Sequence, residues 1–128
     1  LIRESDFLVV ALPLTGETRG LVGEAQLRAM KPGAYLINIA RGPVVVEAAL
    51  LRALKEGWIA GAVLDVFDRE PLPPESEFWG LPNVLITPHQ AGGSPLNESR
   101  ATDIFCGNLR RYLAGQPLVN VVDKALGY

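Results

Sequence analysis

Arg41, Glu70 and His89 each follow closely on an apolar run that ends in a turn signal, in INIARG, LDVFDREP and LITPHQAGG. A guanidinium, a carboxylate and an imidazole are the groups needed to hold an anionic carbonyl compound and exchange a proton with it. Arg is permanently charged and presents paired donors that match a carboxylate at two points, which the point charge of Lys does not. His89 is the only histidine, and its residue type ionises near neutrality, which suits acid and base work. Glu70 could hold that imidazole, because a carboxylate bonded to one ring nitrogen fixes the tautomer and favours the imidazolium. In reduction of a carbonyl by hydride, the imidazolium would protonate the nascent alkoxide. Taken singly, Arg41 could be a surface residue in a turn and His89 a structural loop residue; their joint placement favours a site.

Other polar and aromatic residues carry weaker signals. Asp65, after the run 60–64, could accept a hydrogen bond from a nicotinamide carboxamide or could equally cap a turn. Glu47, Glu75 and Glu77 read as solvated charges. Trp58 and Trp79 read as packing residues, although an aromatic at a site mouth could also exclude water. The single cysteine, Cys106, cannot form an internal disulfide and reads as a packed helix residue, and no Cys/His cluster has zinc-site spacing.

Three functional strand ends require strands and something to order them. Short apolar runs at 6–12, 34–39, 60–64 and 84–87 alternate with helical patterns, the rhythm of an α/β parallel sheet with crossover helices. In such sheets ligands bind outside the carboxyl ends of the strands, where residues distant in sequence converge. The run 6–12 is continuously apolar, as expected of a strand covered on both faces. Helices are expected over 23–30, closed by Lys31-Pro32-Gly33, and over 46–56, with Gly57 as C-cap. Residues 68–81, with Pro71, Pro73 and Pro74, read as a loop. Pro95 can open a helix whose face includes Ile104, Phe105, Leu109 and Tyr112 and which stops near Gly115; the tail beyond Pro117 reads as irregular. The strand at 6–12 would leave a long apolar edge, which invites pairing with another chain or aggregation. The chain alone is therefore expected to be marginally stable, self-associated or stabilised by a partner.

Composition is ordinary for a soluble α/β protein: 48% hydrophobic and 20% charged residues, net charge −2 and pI near 5.4. There is no clustered basic face for nucleic acid or an anionic membrane, and no apolar run approaches the ~20 residues needed to span a bilayer. A cytoplasmic location is expected. The chain begins at Leu1 and holds no G-x-G-x-x-G, so the main phosphate-cradling turn of a dinucleotide fold is not in it.

The stretches GAYLINIARG, GAVLDVFDREPLPPES and NVLITPH, with the ending VVDKALGY, resemble the C-terminal part of the D-isomer-specific 2-hydroxyacid dehydrogenases over essentially the whole chain. The REPLPPES segment, Trp79 and the Gly127-Tyr128 ending look most like the glyoxylate/hydroxypyruvate reductase A branch. The resemblance implies the second half of a Rossmann-type doubly wound parallel sheet, with residues 1–94 in the dinucleotide-binding domain and 95–128 forming a helix and tail that return toward a substrate domain. It implies that Arg41 binds the keto acid, that Glu70 pairs with His89 and that His89 is the general acid. Leu12, Thr18, Ile39, Ala40, Arg41, Asp65, His89 and Gly92 fall at cofactor-lining positions, with NADP expected and NAD possible. It further implies a small 2-keto acid substrate, no nucleic-acid or membrane partner, and a homodimer formed through the nucleotide domain. Gln90 and Pro43 depart from the family pattern, the first in place of an apolar residue and the second stiffening the turn after Arg41. Two alternatives stay open: another 2-hydroxyacid dehydrogenase with NAD, and a nucleotide-sensing interaction module like the C-terminal binding protein corepressors. The chain alone is expected to be an incomplete piece of the catalyst.

Overall fold

The computed structural model describes residues 1–128. Four parallel strands lie side by side in chain order: β1 (Phe7–Val10), β2 (Tyr35–Asn38), β3 (Gly61–Leu64) and β4 (Val84–Ile86). Helix α1 (Glu24–Ala29) connects β1 to β2, α2 (Glu47–Lys55) connects β2 to β3, and α3 (Asn97–Leu113) follows β4. Two compact units result, Leu1–Ala91 and Gly92–Tyr128, dividing three residues before the boundary read from sequence.

Within the first unit the pleat sorts side chains by parity. Leu8, Val10, Leu36, Ala62 and Leu64 share a core with Leu27 of α1 and with Leu50, Ala53 and Leu54 of α2. The opposite face is open. Phe7 and Val9 are 66% and 51% exposed, and Phe7 stacks on Tyr35 with ring centroids 5.9 Å apart. This corrects the expectation that continuous apolarity in 6–12 means burial on both faces, and β1 is also shorter than that run. The residues keep the composition of a two-sided strand, while α1 and α2 supply apolar partners to one side only.

Helix α2 forms where its apolar period predicts. Ala49, Leu50, Ala53 and Leu54 make one buried stripe, Glu47 occupies the first turn, and Arg52 and Lys55 occupy the last, in keeping with the helix dipole. Gly57, at φ +69°, supplies the left-handed residue that ends it. Residues 68–81 are not wholly irregular. They end in a 3-10 turn at Glu77–Gly80 that buries Phe78, whose ring lies 5.8 Å from that of Phe67. The prolines that mark the loop masked this apolar anchor.

In the second unit α3 starts at Asn97, two residues beyond Pro95, and contains no buried residue. Cys106 is accordingly half-buried rather than packed, and Phe105, Tyr112 and Leu113 are exposed. The tail after Pro117 contains neither helix nor strand.

The strand register supplies the frame for the site. Asn38 pairs with Leu64 and Leu64 with Ile86, so these three residues form one row across the carboxyl end of the sheet. Arg41 and His89 each lie three residues past that row, and Asp65 one residue past it.

Candidate active site

The turn after β2 is built by Asn38. It is buried at an inward position among apolar neighbours; its Oδ1 accepts the Ala40 N–H at 3.1 Å, and its Nδ2 donates to the Arg41 carbonyl at 3.2 Å. Both functions of the amide are thereby satisfied, and the chain is bent just before Arg41. The Arg41 side chain is exposed, makes no ion pair and donates from Nη1 to the Ala40 carbonyl at 2.6 Å. The chain then enters a 3-10 turn at Gly42–Val44 with Pro43 in its first turn, so the proline singled out in the sequence stiffens a turn that suits it.

The segment after β3 carries two carboxylates with different duties. Asp65 is only 3% exposed. Its Oδ1 accepts the Thr87 hydroxyl and the Gln90 N–H, the latter at 2.9 Å, and its Oδ2 accepts the Ala91 N–H at 2.9 Å. Burial acts most strongly and pushes its carboxyl up. The Thr87 hydroxyl, the Ala91 and Gln90 amides and the charge of His89 together outweigh burial and hold it below the ordinary range. Of the two alternatives read from sequence, the one seen directly is the capping of a turn, the turn that bears His89. One acceptor position on Oδ2 remains for a further donor.

Glu70 receives the Phe67 N–H on Oε1 at 2.9 Å and faces His89 Nδ1 through Oε2 at 2.7 Å. Burial again pushes upward, and the hydrogen bonds from His89 and Phe67, with the charges of His89 and Arg41, bring the net shift below the usual glutamate range. Glu70 is thus held as the anion, the form that orients an imidazole.

His89 itself adopts a left-handed backbone, φ 53°, which is uncommon for a residue with a side chain. The conformation is held in place: the His89 N–H donates to the carbonyls of Asp65 at 2.9 Å and Thr87 at 3.1 Å. Its side chain is 48% exposed and that of Glu70 34%. Beside the pair lies a cavity of about 440 Å³ lined by Phe67, Glu70, Leu72, Trp79, Thr87 and His89 among others. Trp79 is 54% exposed and donates its indole N–H to the Pro73 carbonyl at 2.9 Å; it borders this cavity, which is the second of the two roles its sequence position offered. Trp58 instead packs against the core, with the Arg28 guanidinium 3.6 Å from its ring centroid.

The remaining sequence candidates are distributed as follows. Leu12 and Ile39 are exposed just beyond the carboxyl ends of β1 and β2, and Ala40 is buried. Thr18 donates its hydroxyl to the Pro13 carbonyl at 2.6 Å and accepts the Thr15 N–H at 2.8 Å, closing the turn after β1. Gly92 belongs to the second unit, where its carbonyl accepts from Asn97.

Three structural contributors escaped the sequence reading. Asn38 was visible only as a polar residue on the inward parity of a strand, and Thr87 only as the residue before Pro88. Glu47 reads as solvated, yet it is half-buried and its Oε1 accepts the Asp68 N–H at 2.7 Å. By contrast Glu75 is exposed, and Glu77 is an exposed partner of Lys55.

Arg41, Glu70 and His89 thus follow consecutive strands of one parallel sheet, on the side where open α/β sheets bind their ligands. Residues 1–91 match the family model described as "D-isomer specific 2-hydroxyacid dehydrogenase, NAD binding domain", and the chain belongs to that family. It is 47% identical over 124 residues to a glyoxylate reductase of Korarchaeum cryptofilum, covering 97% of this chain and 37% of the relative. It is 51% identical over 126 residues to a glyoxylate/hydroxypyruvate reductase B of Enterobacter agglomerans, covering 96% and 38%. Among solved structures, a D-isomer-specific 2-hydroxyacid dehydrogenase from Xanthobacter autotrophicus Py2, in complex with NADPH and MES, superposes with a TM-score of 0.91 at 49% identity, covering 99% of this chain and 52% of that one. An NADPH-dependent glyoxylate/hydroxypyruvate reductase from Sinorhizobium meliloti, in complex with NADP and sulfate, gives 0.89 at 43% identity, covering 99% and 41%. The chain thus spans less than two fifths of the length of these curated relatives. No helix is long and apolar enough to cross a membrane.

Proposed function

We propose that the protein carrying this chain reduces a small 2-keto acid, glyoxylate or hydroxypyruvate, to the corresponding 2-hydroxy acid, the D isomer where C2 becomes chiral, with NADPH, NAD(H) being the second choice. The observation that carries this reading is the 2.7 Å contact between Glu70 and His89 beside an open cavity. Arg41 stands on the neighbouring strand end, with its charge felt at Glu70.

Arg41 binds the substrate carboxylate and directs the carbonyl, using the guanidinium N–H groups not spent on Ala40. The bound dinucleotide supplies hydride to the carbonyl carbon. Glu70 occupies His89 Nδ1 and so leaves Nε2 as the proton donor toward the carbonyl oxygen. As the C=O π bond opens, a C–H bond and an O–H bond form; the keto acid is reduced, the dinucleotide is oxidised and His89 is left neutral for reprotonation. The residues present fit the nicotinamide end of such a cofactor. Leu12 and Ile39 offer exposed apolar surface at two strand ends, and Asp65 Oδ2 retains an acceptor position for a carboxamide N–H. Thr18, the backbone of Ala40, and Gly92 complete the proposed lining. NADP is favoured over NAD by the relatives solved with NADPH or NADP.

A cytoplasmic location, a homodimer formed through the nucleotide domain, and a return of residues 95–128 toward a substrate domain are part of the same proposal. The test is NADPH oxidation with glyoxylate by the intact protein and by His89→Ala purified identically. Loss of about 10²–10⁴-fold in turnover is expected, the usual contribution of a positioned acid; equal turnover in both would overturn the mechanism.

A further inference from the structure

Glu47 carries a duty that neither the mechanism above nor its place in α2 accounts for. It sits in the first turn of that helix, where an acidic side chain is favoured by the dipole at the level of about 0.3–1 kcal/mol whatever its direction. Yet the side chain turns inward, makes no ion pair, and accepts the backbone N–H of Asp68 at 2.7 Å across 21 residues of sequence. Burial pushes its carboxyl up, against the opposing effect of the Asp68 N–H. A half-buried carboxylate without a cation is retained here at some expense in solvation.

The Asp68 N–H that it grips belongs to the Phe67–Asp68 peptide, and the peptide immediately before it, Val66–Phe67, is the anchor of Glu70. The Phe67 N–H, which belongs to the Val66–Phe67 peptide, holds Glu70 Oε1 at 2.9 Å. The next N–H along the chain, that of Asp68, is held by Glu47, and the backbone of Gly42 lies against the Phe67–Asp68 peptide. Glu70 Oε2 then meets His89. A continuous set of contacts thus runs from the start of α2, six residues after Arg41, through the two consecutive peptides joined at Phe67 to Glu70 and the imidazole.

We propose that Glu47 is a positioning residue for the Glu70–His89 pair, its carboxylate fixing the Phe67–Asp68 peptide so that Glu70 stays directed at His89. The inference rests on the reading of that pair as the proton-transfer group.

Because His89 is the only histidine, its imidazole resonance can be followed by NMR across a pH titration in the chain itself, without reference to activity. The charged groups that face it are Glu70 and Asp65, with Arg41 acting on Glu70. Glu70→Gln should move the midpoint to lower pH, since the partner charge that favours the imidazolium is lost. Glu47→Ala should move it in the same direction and by less, because the partner charge is displaced and not removed. Glu47→Gln, whose amide oxygen can still accept the Asp68 N–H, should titrate as wild type. Glu47→Asp keeps the charge and the helix position but is one methylene short; it should shift like Glu47→Ala, and it decides the matter if the alanine variant does not fold. Coincidence of the Ala or Asp variant with wild type, while Glu70→Gln shifts, overturns the role of Glu47 alone. No shift in Glu70→Gln overturns the acid–base pair and the role of Glu47 with it.

Discussion

A methyl group built on Gly42 would lie 2.0 Å from the carbonyl carbon of Phe67 and 2.2 Å from its oxygen. The turn that carries Arg41 and the segment that carries Glu70 therefore meet backbone to backbone, and only glycine permits the approach. Gly42→Ala should force the two segments apart and lower stability by about 1–3 kcal/mol or more, the scale of overpacking in a close-packed interior. A thermal melt checks the loss, and an unaltered melting temperature would show that the contact is soft.

Asp65 makes the acid limb of stability predictable. Its folded carboxyl titrates below the ordinary 3.8, so the stabilisation it confers is complete above 3.8 and is lost as pH falls through the folded value. Glu47 has the opposite sign. Burial raises its value above 4.5, so the fold binds that proton more readily than the unfolded chain and gains stability as pH falls toward 4.5. Glu70, held below 4.5, has the same sign as Asp65, so urea midpoints should decline as pH falls below the ordinary carboxylate values, with the Asp65 share lost below 3.8 and the gain from Glu47 opposing the decline above 4.5. Asp65→Asn should flatten that decline while lowering the midpoint at neutral pH, because one of its acceptor oxygens is replaced by a donor facing N–H or O–H groups. An acid limb unchanged by the substitution would remove Asp65 as its cause.

Arg41→Lys in the intact protein should raise KM for glyoxylate by about tenfold or more, the equivalent of about 1.4 kcal/mol, because a point charge replaces a two-donor fork. The pH dependence of turnover should stay as in wild type, since the Glu70–His89 contact does not pass through Arg41. Steady-state kinetics over a pH series separates the two effects, and an unchanged KM would place the keto acid elsewhere.

The open face of the sheet bears on the chain by itself. Phe7, Val9, Tyr35 and Leu85 are exposed on it, and β1 ends the sheet with unpaired backbone groups. Sedimentation velocity should show association that increases with concentration, and Val9→Lys, which charges that face without touching the core parity, should reduce it. A monomer at all concentrations would contradict the expectation.

The order of elements and the inward parity of most strands were legible because apolar period and turn residues are local signals. Arg41, Glu70 and His89 were legible because each stands directly beyond such a signal. What escaped depends on partners distant in sequence. Glu47 looks solvated until Asp68 is brought to it, and Asn38 looks like an ordinary strand terminus until the chain folds back on its amide. The exposed parity of β1 could not be read from β1 at all, because composition records what a strand tolerates on each face and not what is there to cover it.

The row Asn38–Leu64–Ile86 ties the spacing of the polar groups to the alignment of the strands. Arg41, Asp65 and His89 are set out at short fixed offsets from it, each on a different strand end. A slip of one residue between any two strands would displace one group by about 3.3 Å along the sheet and turn its strand's side chains to the wrong face. The spacing of Arg41, Asp65 and His89 and the register of the strands therefore stand or fall together.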